Sequence, residues 1–479
     1  MGCFEFARSF VRRFSSIPSS GLLKLKTSNS MVIISGPDAT KFLNGLLTIR
    51  LLPTISKTRL TTVSNQEGEY LDLAQSLNIA EKQVRDTSWG ILHDDEYSEG
   101  VEKVGIRRDG RYGMLLSSKG RVDSDLFVYP IPFIGDVKDG PSYLVEFNSG
   151  LERFRKLFML LKLHKLRTCI SINHPPKLQS WVYFNRTEAF EDFAYSLKDR
   201  FFNNKTSKSP EKGLQLAREF LQSGLLFQPQ YHSRLEKGLV GFAIDNRSSL
   251  PMFRLITDNS LFKDFPDMFS QDIPGVSERN SASRAFDSSN NLYELLRIKQ
   301  GLVEMSDYQM GAHSPLPFEF NIDYANGINY NKGCYIGQEL TSRTWTRGVI
   351  RKRIMPANFF VQNECDDSII SKLGAIDDLK IVREDKREKG LEEKQAVFNP
   401  FGVSPKKSAK SGLSIIGAVI RTVSNAGLVL VNIKDIDLTE NDKNSNVFCV
   451  QSDSVPEING KVQCQIRVPD WWPIEDEIE

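Results

Sequence analysis

The chain has 479 residues, with 62 Lys and Arg against 60 Asp and Glu, 40% hydrophobic and 10% aromatic side chains. At about 150 residues per domain this predicts roughly three structural units, and the near-balance of charge excludes a protein drawn to polyanions, so nucleic acid is not an expected partner. No stretch approaches the ~20 uninterrupted apolar residues of a membrane span, and six cysteines without a CxxC make neither a disulfide framework nor a four-thiolate metal site.

Residues 1–20 read as a mitochondrial presequence. Arg8, Arg12 and Arg13 alternate with phenylalanines against the single acid Glu5, and serines follow. Such a segment forms a cationic, amphipathic helix that is poor in acid. Its removal takes away three basic residues and one acidic one, leaving a formally neutral chain. Gly2 suggests myristoylation, but Phe6 occupies the position where that pattern requires Ser or Thr.

Residues 31–35 (MVIIS) predict a strand, Gly36-Pro37-Asp38 a turn able to cap a helix, and residues 39–47 that helix. Residues 50–110 are polar and weakly periodic and read as a long insertion. Two apolar runs flank Ser117-Ser118-Lys119-Gly120 within residues 112–129, the pattern of a hairpin. YLVEF from Tyr143 is a further strand, residues 151–166 repeat apolar side chains at helical spacing with lysines opposite, and Cys169 reads as a core residue.

Strands at WVYF (Trp181), GFAID (Gly241) and MFRLI (Met252) follow, with helices near residues 211–221 and 292–300. Elements in this mixed order predict an α+β fold. Residues 277–290 and 380–410 read as charged or Ser-rich mobile insertions. IIGAVI and GLVLVNI around a turn at Ser424-Asn425, then FCVQ and VQCQIRV, predict an all-β terminal domain.

The most informative segment is NKGCYIGQELTSRTWTRGVIRKR, residues 331–353. Gly333 and Gly337 bracket Cys334, Tyr335 and Ile336, which permits a tight turn with the thiol at its apex. Lys332, Arg343, Arg347, Arg351, Lys352 and Arg353 face one acid, Glu339, and cations near a thiol favour thiolate. The same cations suit an acidic ligand tail or an acidic partner surface. Cys334 is thus a functional thiol or a small residue filling a loop, and Glu339 with Arg343 has the i,i+4 spacing of a helix ion pair. Among the histidines His93, His164, His174 and His232 read as structural or exposed, and His313 is the candidate base for a Cys-His pair.

KGCYIGQE followed by Arg343 resembles the signature of the YgfZ family, whose fold is that of the folate-binding glycine-cleavage T-protein. The presequence places the resemblance in its mitochondrial branch. Further similar blocks are Gly36 to Ala39 with Phe42-Leu43, Lys119 to Arg121 with Asp125-Leu126, Asp245 with Arg247 and Arg254, Tyr293 with Arg297 and Gly301, and GAVIRTVSNAGLVLV. The motif positions carried over are Lys332, Gly333, Tyr335, Gly337, Gln338, Glu339 and Arg343, around Cys334.

The resemblance implies a T-protein-like α+β body over residues 21–344, a C-terminal β-barrel over 345–470 and an acidic tail at 471–479. It implies a matrix factor for late iron-sulfur maturation that acts with A-type scaffold proteins on client 4Fe-4S apoproteins. On this reading Cys334 is a ligand of a transient iron-sulfur cluster shared with a partner. Asp125, Asp245 and Arg254 are candidate folate-pocket residues, with tetrahydrofolate as a candidate ligand. The sequence departs from catalytic T-proteins at Cys334 and at Asp123-Ser124-Asp125, where those enzymes carry an adjacent carboxylate pair. A folate-dependent aminomethyl transferase or demethylase is the alternative activity.

Overall fold

The structure, a computed structural model, describes residues 17–25, 30–51, 90–94, 104–135, 140–175, 177–262, 264–274, 285–286, 290–309, 314–330, 332–361, 367–384, 413–438 and 445–473. These fall into two compact units. The first runs to Ile350 and takes up the chain again from Asp470, and the second is Arg351–Pro469. The expected presequence lies outside the described residues as far as residue 16. From Ile17 the chain is packed, with that side chain buried beside Leu23, Val182 and Leu302.

The first unit opens with β1 (Ser20–Lys24), β2 (Met31–Ser35) and α1 (Ala39–Leu46). A hairpin of β3 (Ile91–Asp94) and β4 (Val104–Arg107) precedes β5 (Arg111–Leu116), β6 (Val122–Pro130) and β7 (Ser142–Phe147). Then come α2 (Leu151–His164), β8 (Ser171–Asn173), β9 (Leu178–Asn185), α3 (Glu188–Phe201), α4 (Pro210–Gln222), α5 (His232–Gly238), β10 (Leu239–Asp245), β11 (Met252–Asp258), β12 (Ala285–Phe286), α6 (Asn290–Lys299) and α7 (Gln338–Arg347). Two five-stranded sheets result, in the orders β5-β6-β7-β2-β8 and β10-β11-β9-β1-β12. Adjacent strands β1 and β2 enter different sheets, which ties the two together from the start of the chain.

Each sheet buries one face against helices. Val32, Val128 and Val145 pack with Leu43 and Leu46 of α1 and with Phe154, Leu157 and Leu161 of α2. Tyr183, Phe242 and Phe253 pack with Phe190 of α3 and Phe220 of α4. Nearly all of β6 is buried, as for a strand covered on both faces.

In the second unit β13 (Lys352–Val361), α8 (Asp367–Lys372), β14 (Lys380–Glu384), β15 (Leu413–Val423), β16 (Ala426–Asn432), β17 (Val447–Gln451) and β18 (Val462–Ile466) follow. The strands close a six-stranded barrel in the order β13-β16-β15-β14-β17-β18, which removes free sheet edges. The α+β body and the terminal barrel match the fold class expected from sequence.

Several local expectations are corrected. Part of the expected 50–110 insertion belongs to the body, because Ile91, Leu92, Val104 and Ile106 are buried in the β3–β4 hairpin. Residues 380–384 of the expected 380–410 insertion form a barrel strand paired with β15 and β17. Within 277–290, Ala285–Phe286 pair in parallel with β1; residues 52–89, 95–103, 277–284, 287–289 and 385–410 lie outside the described residues. The expected acidic tail begins with packed tryptophans: Trp471 Nε1 donates to Gln300 O (2.7 Å) and Trp472 sits edge-on to Tyr324. Asp38 occupies the N-cap of α1 without capping it, and its carboxylate accepts from Cys169 N at 2.8 Å instead. Cys169 is exposed, not core, because the backbone there carries the contact. No helix among the described residues is long and apolar enough to cross a membrane.

Candidate functional site: an anchored cysteine loop and a buried charge cluster

Cys334 is exposed on a loop held at both ends. At its start Lys332 turns inward, donating from Nζ to Asn44 O (2.8 Å), to Ile49 O (2.9 Å) and to Leu47 O. These carbonyls end helix α1 and begin the chain after it, the negative pole of the helix. Burial and Arg111 push Lys332 down to about 7, while three carbonyl acceptors favour its charged form. The ammonium also lies 4.6 Å from the centre of the Tyr335 ring, which is buried in turn. Ile336 N donates to Gly45 O (3.2 Å), so the loop rests on α1 along its length.

The loop ends at Gly337, the N-cap of α7, with φ 80°. Tyr335 N donates to Gln338 Oε1 at 3.3 Å and Thr341 Oγ1 to Gly337 O at 3.4 Å, which closes the helix start. A Cβ on Gly337 would stand 2.6 Å from Ser117 O and 3.0 Å from Gly120 Cα. The cysteine motif thus packs on the β5–β6 hairpin turn. Farther along α7, half-exposed Trp345 stacks on Tyr330 with ring centres 4.0 Å apart.

One of the cations expected around the thiol, Lys332, is engaged beneath the loop. Lys332 faces carbonyls beneath the loop, so it is not available to a glutamate tail or an acidic partner. Arg351, Lys352 and Arg353 belong to the second unit, where Arg353 is buried. Arg343 and Arg347 remain on the helix of the loop, and Arg343 lies 4.0 Å from Glu339, the i,i+4 ion pair. His313 lies outside the described residues, and His93 is buried, with burial and Arg107 pushing it down to about 3. Among the described residues no three His, Cys, Asp or Glu side chains converge as a metal site.

A second constellation lies in the interior. Asp245 at the end of β10 binds Arg247 through both oxygens (2.9 and 2.7 Å). Arg254 of β11 reaches Glu146 of β7 (3.2 Å) and donates to the Tyr293 hydroxyl of α6 (3.0 Å), which donates to Glu304 (2.5 Å). Asp125 of β6 accepts from Asn148 Nδ2 and from Met305 N, both at 2.8 Å, and stands 4.0 Å from Arg247 Nη1. Arg297 pairs with Asp307. The rings of Tyr112 and Phe127 flank Arg247, and Phe127 also lies beneath Arg254.

Five carboxylates (Asp125, Glu146, Asp245, Glu304, Asp307) thus face three guanidinium groups in the buried interior, and the least well paired takes the consequence. Burial and neighbouring Glu304 push Asp125 up to about 7. Burial also opposes ionisation of Asp245 and Glu304, but Arg247 holds the first below its usual value, and Arg297 and Arg247 the second. Arg247 Nη1 is buried with no hydrogen-bond acceptor.

No family model matches the chain. It is 33% identical over 502 residues to the mitochondrial iron-sulfur cluster assembly factor IBA57 homolog of Scheffersomyces stipitis, covering 96% of this chain and 100% of that one. The Candida albicans homolog of the same name is 32% identical over 495 residues, 95% and 99% of the two chains. The chain belongs to the mitochondrial IBA57 family of iron-sulfur cluster assembly factors. The IBA57 protein of Saccharomyces cerevisiae is 27% identical over 431 residues, 84% of this chain and 80% of that one. Among solved structures, the glycine cleavage system aminomethyltransferase T from Bartonella henselae superposes with a TM-score of 0.47 at 9% identity, over 96% of this chain and 88% of that one.

In this member of the IBA57 family the motif residues Lys332 to Arg343 form one local structure with Cys334 at its exposed point. Asp125, Asp245 and Arg254 come together in the separate buried cluster. The oxygens of Asp125 and Asp245 are already taken by Asn148, Met305 and Arg247, Arg254 is taken by Glu146 and Tyr293, and all three side chains are buried. They do not fit an open site for a flat ring in this arrangement. Sequence reading missed Glu146, Glu304 and Tyr112. Glu146 carried a signal, since a lone carboxylate inside the apolar strand YLVEF calls for a buried cationic partner.

Proposed function

We propose that this chain works in the mitochondrial matrix as a late-acting iron-sulfur cluster assembly factor. It acts with A-type scaffold proteins to mature 4Fe-4S proteins, including aconitase-type enzymes and radical-SAM enzymes such as lipoate and biotin synthases. The observation that carries this reading is the exposed Cys334 thiol on a loop anchored by Lys332, Ile336 and Gly337. Iron-sulfur clusters normally take four thiolates, so Cys334 supplies one ligand and the partner the others. The cluster is cargo, held between two proteins. A fixed backbone under the thiol lowers the ordering entropy lost when such a complex forms.

The test mixes the purified chain with a cluster-loaded A-type scaffold protein and compares wild type with Cys334→Ala by visible absorption and size-exclusion chromatography. A coloured complex present only with the wild type supports the reading. Equal colour and complex with both removes Cys334 from the ligand set.

The competing activity is folate-dependent one-carbon transfer or demethylation. It rests on Arg247 Nη1, which has no hydrogen-bond acceptor although Asp125 stands 4.0 Å away, and on Asp125, a carboxyl shifted toward neutrality, and it requires the buried cluster to open. Turnover of tetrahydrofolate donors by the wild type, absent in Asp125→Asn, would favour it over cluster sharing.

A further inference from the structure

Helix α2 has two apolar faces, and the fold uses one. Phe154, Leu157 and Leu161 pack into the core. On the opposite side Met159 is 58% exposed and Leu163, one turn on, 71%. Leu166, just beyond the helix at φ 41°, is 86% exposed. An amphipathic surface helix needs one apolar stripe to hold it to the protein. The second is surplus to folding.

Cations border this second stripe. At helical spacing Arg155 and Lys162 lie on one side of Met159 and Leu163, and Lys156 on the other, with Arg167 following. All four are exposed. Lys156 lies 3.9 Å from Glu152, the single acid of residues 151–167. Arg155, Lys162 and Arg167 meet no acidic side chain among the described residues. Lys162 lays its stem along Phe158, its Nζ 4.4 Å from the ring centre. Arg153 is set apart, since it donates inward to Tyr308 O and Gln309 O.

We infer that the outer face of α2 docks this protein on an anionic lipid bilayer. The helix would lie in the plane of the surface, with Met159, Leu163 and Leu166 entering the headgroup boundary and the cations at the level of the lipid phosphates. The charge selects an anionic surface. The form of the apolar element selects lipid over protein, because three side chains raised from a convex helix fit a deformable boundary, whereas a protein partner requires a groove shaped to receive them. Long Lys and Arg stems can extend sideways to phosphate while the apolar tips go in. The inference is independent of the role proposed for Cys334, which lies on another element.

Flotation of the full chain with vesicles tests it, comparing equimolar phosphatidylcholine and phosphatidylglycerol with phosphatidylcholine alone. Binding to the anionic vesicles and not to the neutral ones is expected, weakening as salt is added. Lys156→Glu with Lys162→Glu should weaken it more than tenfold, at about fivefold for each cation lost. Met159→Ser with Leu163→Ser should also weaken binding, with an unchanged melting temperature because both side chains point to solvent. Equal flotation with both vesicle types, or anionic binding unaffected by both double variants, overturns the proposal. So does failure to float combined with variant-sensitive binding to an acidic protein, which would assign the surface to a protein partner.

Discussion

Gly337 and Gly120 lie back to back, each in the left-handed conformation (φ 80° and 73°), and neither tolerates a Cβ. Gly337 would drive one to 2.6 Å from Ser117 O, and Gly120 to 2.7 Å from Leu340 Cβ. The cysteine motif and the hairpin motif, more than two hundred residues apart in the chain, are pressed together at these positions. Gly337→Ala and Gly120→Ala are therefore each expected to cost more than about 2 kcal/mol, left-handed strain of about 1–2 kcal/mol plus the clash. Denaturant melts measure this. A variant within about 0.5 kcal/mol of wild type would show that the contact yields without strain.

Lys332→Met keeps the buried stem and removes three donors. Leaving the carbonyls of Asn44, Leu47 and Ile49 unpaired should lower stability by about 2–4 kcal/mol at neutral pH. The Ile336 amide, which rests on Gly45 O, should lose hydrogen-exchange protection at the same time. The lysine is held at about 7 in the fold against 10.5 when free, so over that window the unfolded chain binds the extra proton. Stability of the wild type should rise with pH across it, and that slope should shrink in the variant.

Asp125 runs the other way. Its carboxyl is raised from 3.8 to about 7, so between those values the folded state holds the proton and the unfolded state does not. Stability should fall as pH rises through this window, by at most about 1.4 kcal/mol per pH unit from this one group. Asp125→Asn should flatten that slope and match or exceed the wild-type melting temperature above about pH 7. A steeper fall in the variant would mean that the ionised carboxylate is needed by Arg247.

Glu339 is almost fully exposed and reaches Arg343 only at 4.0 Å. Glu339→Ala should change stability by less than about 0.5 kcal/mol. Its effect on formation of a complex with a scaffold protein then reports contact with that partner, because the fold does not depend on the pair.

Much of the architecture was legible because it depends on local pattern. The hairpins at residues 111–130 and 413–432 follow from alternating apolar runs around turn residues. The helices at residues 151–164 and 290–299 follow from 3.6-residue periodicity. Strands inside apparently polar insertions were not legible. β14 is five residues long and leads directly into a highly charged run, so its hydrophobic signal is outweighed in any window that includes both.

The sequence by itself determined the address-like N-terminus, the α+β body with its terminal barrel, and the family to which the KGCYIGQE motif belongs. Local composition and spacing carry the address and the succession of helices and strands, while the barrel and the family come from the resemblance of the KGCYIGQE motif and its companion blocks. Tertiary structure alone decided which charges matter near the thiol. Lys332 reads as one more cation beside Cys334, yet the end of α1, nearly three hundred residues earlier, draws it beneath the loop. Asp125, Glu146, Arg254 and Glu304 meet because β6, β7 and β11 belong to two facing sheets and a later loop closes over them. Burial, which sets the protonation of Asp125, depends on those long-range contacts and is therefore absent from any local stretch of sequence.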